Sequence, residues 1–240
     1  PLRFNRRTVE LTKEEQDKNR SAQQLKLLKC LNLLPVMQIY ADNIEADDFV
    51  AYISKSMKYS EWEKVIISSD KDFFQLCDSK TIIYRPIQKT IVSETSLVKD
   101  FGIHPNNFAL ARAIVGDKSD NIEGIKGVGL VTVAKRLNFL STDQDYSVQE
   151  VINYCNKFDK KNKFHNLLLE NHDNIVRNYN LMQLYNPSIS HKVKKHVNYI
   201  IDNFEPEFDK FKTMKHLKGD GIPFEQFNEL FKYMKNIKRS

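Results

Sequence analysis

The chain has 240 residues, a formal net charge of +6 and 41% hydrophobic residues. This length allows one large domain or two small ones, and the apolar content can supply a core. No run of apolar residues approaches the ~20 needed to cross a bilayer, so we expect no membrane segment. The three cysteines, Cys30, Cys77 and Cys155, are too widely spaced for a disulfide framework or a zinc site.

The first hundred residues alternate between predicted helices and predicted strands. Thr12 and Glu15 form a capping-box pattern, and leucines at helical spacing follow, so we predict a helix over 12–34 that Pro35 ends. The apolar patterns then predict a short strand over 36–40, a helix over 45–58 whose buried residues include Met57, a buried strand over 64–69, a short helix over 72–76, and two paired strands over 81–85 and 90–93.

From Glu94 onward the patterns are almost entirely helical. Strands and helices followed by helices alone predict an α/β fold with a central, mainly parallel sheet flanked by helices, and then a helical region. We therefore expect an α/β core over 1–100 and a helical part over 101–240. No linker rich in proline or glycine marks this boundary, so one continuous globule remains an equal alternative.

Seven carboxylates lie in three short motifs. Oxygen ligands of this kind bind Mg²⁺ or Mn²⁺, and a basic chain attracts phosphate, so the pattern suits a metal site that acts on nucleic acid. An acidic helix start or an ordinary turn is the alternative interpretation for the first two motifs. The residues are Glu45, Asp47 and Asp48 in IEADD, Asp70 and Asp72 in SSDKDFFQL, and Asp117 and Asp120 in GDKSDNIEGIKGVG.

The position of these motifs in the predicted elements supports a common site. IEADD follows a strand and opens a helix, where the helix dipole favours negative charge. Asp70 and Asp72 follow the buried strand, and ligands of α/β sheets bind beyond the carboxyl ends of strands. Asp117 and Asp120 are three residues apart, which is one helical turn.

A glycine-rich segment follows Asp120 and precedes a helix that we predict to start near Leu130. Such a segment presents backbone N–H groups to a phosphate, and nearby cations add attraction. Alone it is often only a tight turn, but behind two aspartates it joins a phosphate contact to a metal pocket. The predicted DNA contacts are Gly124, Lys126, Gly127, Gly129, Lys135 and Arg136.

Taken together, EADD, SSDKDFFQL and GDKSDNIEGIKGVG resemble the 5′-nuclease (flap endonuclease) family over roughly residues 36–140. The family includes the 5′-nuclease domain of bacterial DNA polymerase I, the phage exonucleases and the ribonuclease H branch of T-even phages. The resemblance implies two Mg²⁺ or Mn²⁺ ions and a helix–three-turn–helix motif over about 115–140, which in relatives can hold K⁺. It assigns Glu45, Asp47 and Asp48 to the first ion, Asp117 and Asp120 to the second, and Asp70 and Asp72 between them.

The N-terminal segment LRFNR resembles the basic segment at the base of the family's helical arch. On that match Arg3 and Arg6 are candidate catalytic residues that hold a phosphate, and a frayed basic terminus is the alternative. Relatives also begin with a strand that carries an essential Asp, and a second Asp precedes the arch. Neither is found here, and by the resemblance both would precede Pro1.

The resemblance implies a structure-specific 5′-nuclease that removes RNA primers or 5′ flaps in DNA replication and repair. Its expected partners are branched or nicked duplex DNA, RNA/DNA with a 5′ end, and replication proteins such as a single-strand binding protein or a polymerase. We expect a monomer in the bacterial cytoplasm, including that of a phage-infected host. The alternatives are a non-catalytic DNA-junction binder and, less simply, a phosphatase, which leaves the glycine segment unexplained.

Overall fold

The computed structural model describes residues 12–159, 162–187, 189–219, 221, 227–235 and 237. The chain divides into two compact units, one of Pro1–Asp42 with Ser190–Ser240 and the other of Asn43–Ile189. The division into 1–100 and 101–240 stays a prediction, and its boundary lies inside the second unit. In the described ranges, no helix has both the length and the apolar character that a membrane crossing requires.

The first described element of the first unit is helix α1, Lys13–Leu31. It starts at the predicted capping box, in which the Glu15 N–H donates to the Thr12 hydroxyl at 3.3 Å and the Thr12 N–H donates to the Glu15 carboxylate at 2.8 Å. The strand predicted over 36–40 is wrong, because this segment has no regular secondary structure. A strand needs a neighbour for its backbone hydrogen bonds, and none of the described strands pairs with this segment.

A three-stranded sheet lies in the second unit, in the order β1, β2, β3. β1 is parallel to β2, with Lys64 opposite Thr81, and β3 is antiparallel to β2, with Ile83 opposite Val92. The predicted pairing of the segments at 81–85 and 90–93 is thus confirmed. The elements up to this point are α2 (Ala46–Ser54), a 3₁₀ helix (Met57–Tyr59), β1 (Lys64–Ile67), a 3₁₀ helix (Asp72–Leu76), β2 (Thr81–Arg85) and β3 (Thr90–Val92).

Two predictions of burial in this part are wrong. β1, predicted to be buried, is only partly so: Ile66 is buried, whereas Val65 and Ile67 are 56% and 70% exposed. This alternation is typical of a strand with one covered face. The second helix ends at Ser54, so Met57 lies outside it in the following 3₁₀ helix and is 86% exposed.

In the described residues of the second unit, the remaining regular elements are helices and one small hairpin, which confirms the α/β fold followed by helices. Its core is a continuous apolar cluster that includes Phe74, Leu97, Phe108 and Ile114. The elements are α3 (Glu94–Phe101), α4 (Phe108–Val115), β4 (Gly116–Asp117), β5 (Ile122–Glu123), α5 (Leu130–Arg136), α6 (Val148–Asn156), α7 (Lys163–Glu170) and α8 (His172–Met182), with short 3₁₀ helices at Pro105–Asn107 and Asn138–Ser141.

A buried amide, that of Gln75, ties the second 3₁₀ helix to the end of α8. Its Nε2 donates to the carbonyls of Asp72 at 2.8 Å and Met182 at 3.0 Å, and its Oε1 accepts from the Leu184 N–H at 2.7 Å. A buried amide that satisfies several backbone groups holds its segments in one register, because each bond lost would leave a polar group unsatisfied. This contact fixes the backbone that carries Asp72.

A second buried amide, that of Asn178 on α8, supports the small hairpin. Its Nδ2 donates to the carbonyl of Ala113 at 3.1 Å and to that of Glu123 at 2.8 Å. Ala113 belongs to α4 and Glu123 to β5, so one side chain links three elements. The hairpin that carries Asp117 is therefore anchored from both sides.

The first unit continues with α9 (His191–Asn203), α10 (Lys210–Gly219) and α11 (Asn228–Met234). Each of these helices buries an apolar residue: Val197, Leu217 and Phe231 respectively. The Thr213 hydroxyl donates to the Leu33 carbonyl at 3.1 Å, which links α10 to the turn after α1.

Candidate metal centre and phosphate-binding loop

Three aspartates, Asp72, Asp117 and Asp120, offer carboxylate oxygens within 4.8 Å of one another. Asp72 opens the 3₁₀ helix that follows β1, so it lies beyond the carboxyl end of a strand. Asp117 ends β4, and Asp120 lies in the turn between β4 and β5. The structure thus brings together three of the seven carboxylates that the sequence singles out.

The two later aspartates meet through a turn and not through a helix. The short antiparallel pair β4–β5, with Gly116 opposite Glu123, was not predicted from the sequence. Ser119, at the tip of this hairpin, donates from its backbone N–H at 2.8 Å and from its hydroxyl to Oδ1 of Asp117. The spacing of three residues is therefore bridged by a hydrogen-bonded turn, and the predicted helical turn is wrong.

A buried arginine, Arg112 on α4, contacts two of the three carboxylates. Its Nε and Nη2 donate to Oδ1 of Asp72 at 3.2 and 3.0 Å, and Nη2 also donates to Oδ2 of Asp117. The three side chains are between 11% and 17% exposed. Hydrogen bonds between charged groups are stronger than neutral ones, so this guanidinium fixes the relative position of both carboxylates.

The two paired carboxylates differ in their pKa. Burial raises the pKa of Asp117, but the Ser119 hydroxyl and N–H and the Arg112 guanidinium outweigh burial and lower it to about 2. The pKa of Asp72 is raised above its ordinary value, because burial outweighs the opposing guanidinium and the charge of Asp70 adds to it. Asp117 is therefore the strongly anionic member of the pair.

The other predicted ligands lie outside this group of three. Asp70 is exposed, and its carboxylate accepts the Asp72 N–H at 2.9 Å in a local turn; its role as a ligand stays a prediction. Glu45 stands at the N-cap position of α2 without a capping hydrogen bond from its side chain, and Asp47 and Asp48 lie in the first turn of the helix. Burial raises the pKa of Asp48, and the charges of Asp47 and Glu45 raise it further. In the described part of the chain, these three do not join the cluster around Asp72. Arg3 and Arg6 lie outside the described residues.

The glycines after Asp120 fall into two kinds. A Cβ on Gly124 would lie 1.9 Å from the Val115 carbonyl oxygen, so this glycine allows the backbone to close the hairpin. At Gly127 and Gly129 an added Cβ would meet nothing within 4 Å, so their backbone is open to a ligand. Lys126, Lys135 and Arg136 are exposed. The open glycines and the exposed cations suit a contact with phosphate.

The donor set suits a hard divalent cation. All three clustered groups are carboxylates, and Mg²⁺ and Mn²⁺ prefer oxygen ligands. In the described residues, no cysteine or histidine joins the cluster, which fits these ions better than zinc.

Neither Arg112 nor Ser119 was predicted from the sequence as a site residue. The signal for Arg112 was a single charged residue within FALARAIV, the otherwise apolar sequence of α4. A charge at such a position is costly unless a partner neutralises it, so it could have been read as the partner of a buried acid. Ser119 had no comparable signal, because serine is common in turns of any kind.

Comparison with known proteins gives a consistent picture. A family model described as "5'-3' exonuclease, N-terminal resolvase-like domain" matches residues 10–102. The chain is 29% identical over 128 residues to a 5'-3' exonuclease of Aquifex aeolicus and 34% identical over 115 residues to the thermostable DNA polymerase I of Thermus aquaticus. These matches cover 53% and 48% of this chain but only 42% and 14% of the two relatives, so the chain spans less than half the length of either.

Solved structures share the fold. A bacteriophage T5 5'-exonuclease with bound zinc ions superimposes with a TM-score of 0.62 at 22% identity, covering 82% of this chain and 73% of that one. A bacteriophage T5 flap endonuclease in a complex with DNA and metal ions gives a TM-score of 0.61 at 21% identity, covering 81% and 74%. Residues 10–102 thus resemble the N-terminal domain of the 5'-3' exonucleases, and the chain shares its fold with the bacteriophage T5 enzyme.

Proposed function

We propose that the chain is a divalent-metal-dependent, structure-specific 5′-nuclease. It would act as a 5′–3′ exonuclease or flap endonuclease and remove RNA primers or 5′ flaps in DNA replication and repair. The observation that carries this proposal is the approach of Asp72, Asp117 and Asp120 to within 4.8 Å, directly before a loop with an open glycine backbone. The names of the relatives, 5'-3' exonuclease and DNA polymerase I, support it.

The carboxylates would hold Mg²⁺ or Mn²⁺. Asp72, Asp117 and Asp120 would bind one ion, and the resemblance assigns Glu45, Asp47 and Asp48 to a second. A bound ion of this kind supplies a water of lowered pKa and neutralises negative charge on the phosphodiester. The carboxylates then serve to position ions, and none of them needs to remove a proton itself.

The substrate would be recognised by its shape and its phosphates. The backbone of Gly127 and Gly129 and the side chain of Lys126 would contact one strand of a duplex, and Lys135 and Arg136 would add attraction. Contacts of this kind position a nucleic acid without reading its sequence. The T5 flap endonuclease complex contains DNA and metal ions, which supports DNA as the substrate. Branched or nicked duplex with a 5′ end is the form of DNA that the resemblance implies.

Other parts of the proposal rest on the resemblance alone. They are a K⁺ ion held by the loop at 115–140, a monomeric state, replication proteins such as a polymerase or a single-strand binding protein as partners, and the bacterial cytoplasm as the location. A non-catalytic DNA-junction binder finds no support, because clustered carboxylates repel DNA unless a cation neutralises them.

Cleavage of a 5′-labelled flap on a nicked duplex tests the proposal, with the product of the complete reading frame in Mg²⁺ or in EDTA. We expect cutting only with Mg²⁺, and Asp117→Asn should slow it by about 100-fold, because it replaces a charged oxygen ligand with a neutral one. Asp100→Asn, an exposed position on α3, should cut at the wild-type rate. Equal rates for Asp117→Asn and wild type would show that the metal assignment is wrong.

A further inference from the structure

Arg112 is the single charged residue of α4, whose other seven residues are all apolar. Its side chain is only 11% exposed. Burying a guanidinium is costly unless acidic partners neutralise it and satisfy its donors. The two partners here, Asp72 and Asp117, lie on different segments of the chain, 45 residues apart in sequence. Arg112 therefore bridges the two parts of the candidate metal site.

Both carboxylate oxygens of Asp117, the atoms that would bind an ion, already accept hydrogen bonds. Oδ1 of Asp117 accepts from the N–H and the hydroxyl of Ser119, while Oδ2 accepts from Nη2 of Arg112. The same Nη2 lies 3.0 Å from Oδ1 of Asp72. An ion bound to Asp117 must therefore share an oxygen with one of these donors, and an ion between the two aspartates must share the site with a positive charge.

We propose that Arg112 is a positioning residue that sets the metal affinity of this site. Its guanidinium holds Asp72 and Asp117 together, balances part of their charge and competes with the divalent ion for their oxygens. The inference rests on the proposed function only in taking these aspartates as ligands of a divalent metal. It assigns to Arg112 no contact with the substrate.

Removing Arg112 changes the net charge of the site, and this change should alter both the stability of the protein and its affinity for the ion. Asp72, Asp117 and Asp120 with Arg112 sum to two negative charges, and without Arg112 they sum to three. Three carboxylates without the guanidinium repel one another, so the folded protein should lose stability when no divalent ion is bound. The ion should in turn bind more tightly, because no cation opposes it, and a ligand that binds more tightly stabilises the folded state more.

The experiment compares Arg112→Met with wild type by calorimetric titration of Mn²⁺ and by thermal unfolding in EDTA and in saturating Mn²⁺. We expect Arg112→Met to lower the Kd for Mn²⁺ by about tenfold, since the ion no longer meets a positive charge a few ångströms away. Its Tm should fall by about 5 °C in EDTA, and most of this loss should disappear in Mn²⁺.

Two further variants serve as controls. One keeps the positive charge at position 112, and the other changes the net charge of the chain at a different position. Arg112→Lys keeps the positive charge, so its Kd for Mn²⁺ should stay within about threefold of wild type although the paired hydrogen bonds are lost. Arg20→Met removes one positive charge from an exposed pair with Asp17 on α1, and it should change neither the Kd nor the response of the Tm to Mn²⁺.

Several outcomes would overturn the inference. A Tm loss that is equal in EDTA and in Mn²⁺, with an unchanged Kd, would make Arg112 a packing residue only. Equal tightening in Arg112→Lys and Arg112→Met would exclude charge as the cause. If Arg112→Met does not fold in EDTA, it should fold once Mn²⁺ is added, and failure in both conditions also counts against the inference.

The wild-type titration distinguishes this inference from the proposed function. If wild type binds Mn²⁺ but the Kd does not respond to Arg112→Met, the metal site stands and the role of Arg112 is wrong. If wild type binds no Mn²⁺, the metal assignment fails, and the inference fails with it.

Discussion

At Asp117, a turn residue and an arginine together lower the pKa of a candidate metal ligand. Its pKa is held at about 2, although burial raises it, because Ser119 and Arg112 donate to both of its oxygens. The pKa of Asp117 is lower in the folded state than its ordinary value of 3.8, so the charged carboxylate stabilises the fold at pH values above 3.8. That contribution is lost as the pH falls from 3.8 towards 2.

Ser119→Ala should weaken this effect. The variant loses the hydroxyl donor but keeps the backbone N–H, so the pKa of Asp117 should rise towards 3.8, and the free energy of unfolding at pH 7 should fall by about 1 kcal/mol. Thermal unfolding between pH 2 and pH 7 would measure it. The difference from wild type should be largest at neutral pH and should vanish near pH 2. An equal difference at both ends would mean that the hydroxyl does not act through the Asp117 charge.

The residues of the candidate site differ in how far sequence could identify them. Asp72, Asp117 and Asp120 stood out because their motifs follow a strand or precede a glycine loop, and those contexts are local. Arg112 could not be connected to them from sequence alone. Its partners depend on how α4 packs beside the 3₁₀ helix Asp72–Leu76, and that contact is set by the whole core and not by neighbouring residues.

The loop between α4 and α5 contains glycines with opposite roles, and a matched pair of substitutions should separate them. Gly124→Ala puts a Cβ 1.9 Å from the Val115 carbonyl oxygen. The atoms that this Cβ meets belong to the backbone and cannot easily move away. We expect this variant to lose at least about 3 kcal/mol of stability or to fail to fold. Gly129→Ala meets nothing within 4 Å and has a φ of −114°, so its Tm should stay near that of wild type.

Gly129→Ala should nevertheless weaken binding to flap DNA if the open backbone contacts a phosphate. Anisotropy titration with labelled flap DNA would measure this, and circular dichroism during heating would give the Tm of both variants. The opposite pattern, a stable Gly124→Ala and an unstable Gly129→Ala, would contradict these roles. Unchanged affinity in Gly129→Ala would instead exclude a close phosphate contact at that residue.

Secondary structure was predictable where one local signal dominates. The capping box of Thr12 and Glu15 marked the start of α1, and the alternating apolar residues at 81–85 and 90–93 marked β2 and β3. The segment at 36–40 carries the apolar residues of a strand, but a strand also requires a neighbour, which local sequence does not reveal. For the same reason, the apolar run of β1 did not show that Val65 and Ile67 would be exposed.

Charge acts at the scale of the whole molecule. The chain carries 37 lysines and arginines against 31 aspartates and glutamates. Three of these acidic residues, Asp72, Asp117 and Asp120, have carboxylate oxygens within 4.8 Å of one another. A positive surplus attracts nucleic acid over a Debye length of about 8 Å at physiological salt, whereas the acidic cluster repels it locally unless a cation is bound. Affinity for DNA should therefore depend on both monovalent salt and divalent ions.

The salt dependence provides a test for Lys126, the exposed cation between the hairpin and the open glycines. Each cation that neutralises a phosphate adds about 0.9 to the slope of log K against log salt concentration, because it releases a counterion from the duplex. Lys126→Ala should therefore lower this slope by about 0.9 and weaken binding equally for flaps of different sequence. Anisotropy titration in Ca²⁺, chosen in place of Mg²⁺ to limit cutting, would measure both effects. Lys99→Ala removes an exposed charge at the end of α3 and should leave the slope unchanged. If both variants lower the slope equally, the DNA is attracted by the net charge of the chain, and Lys126 makes no specific contact with a phosphate.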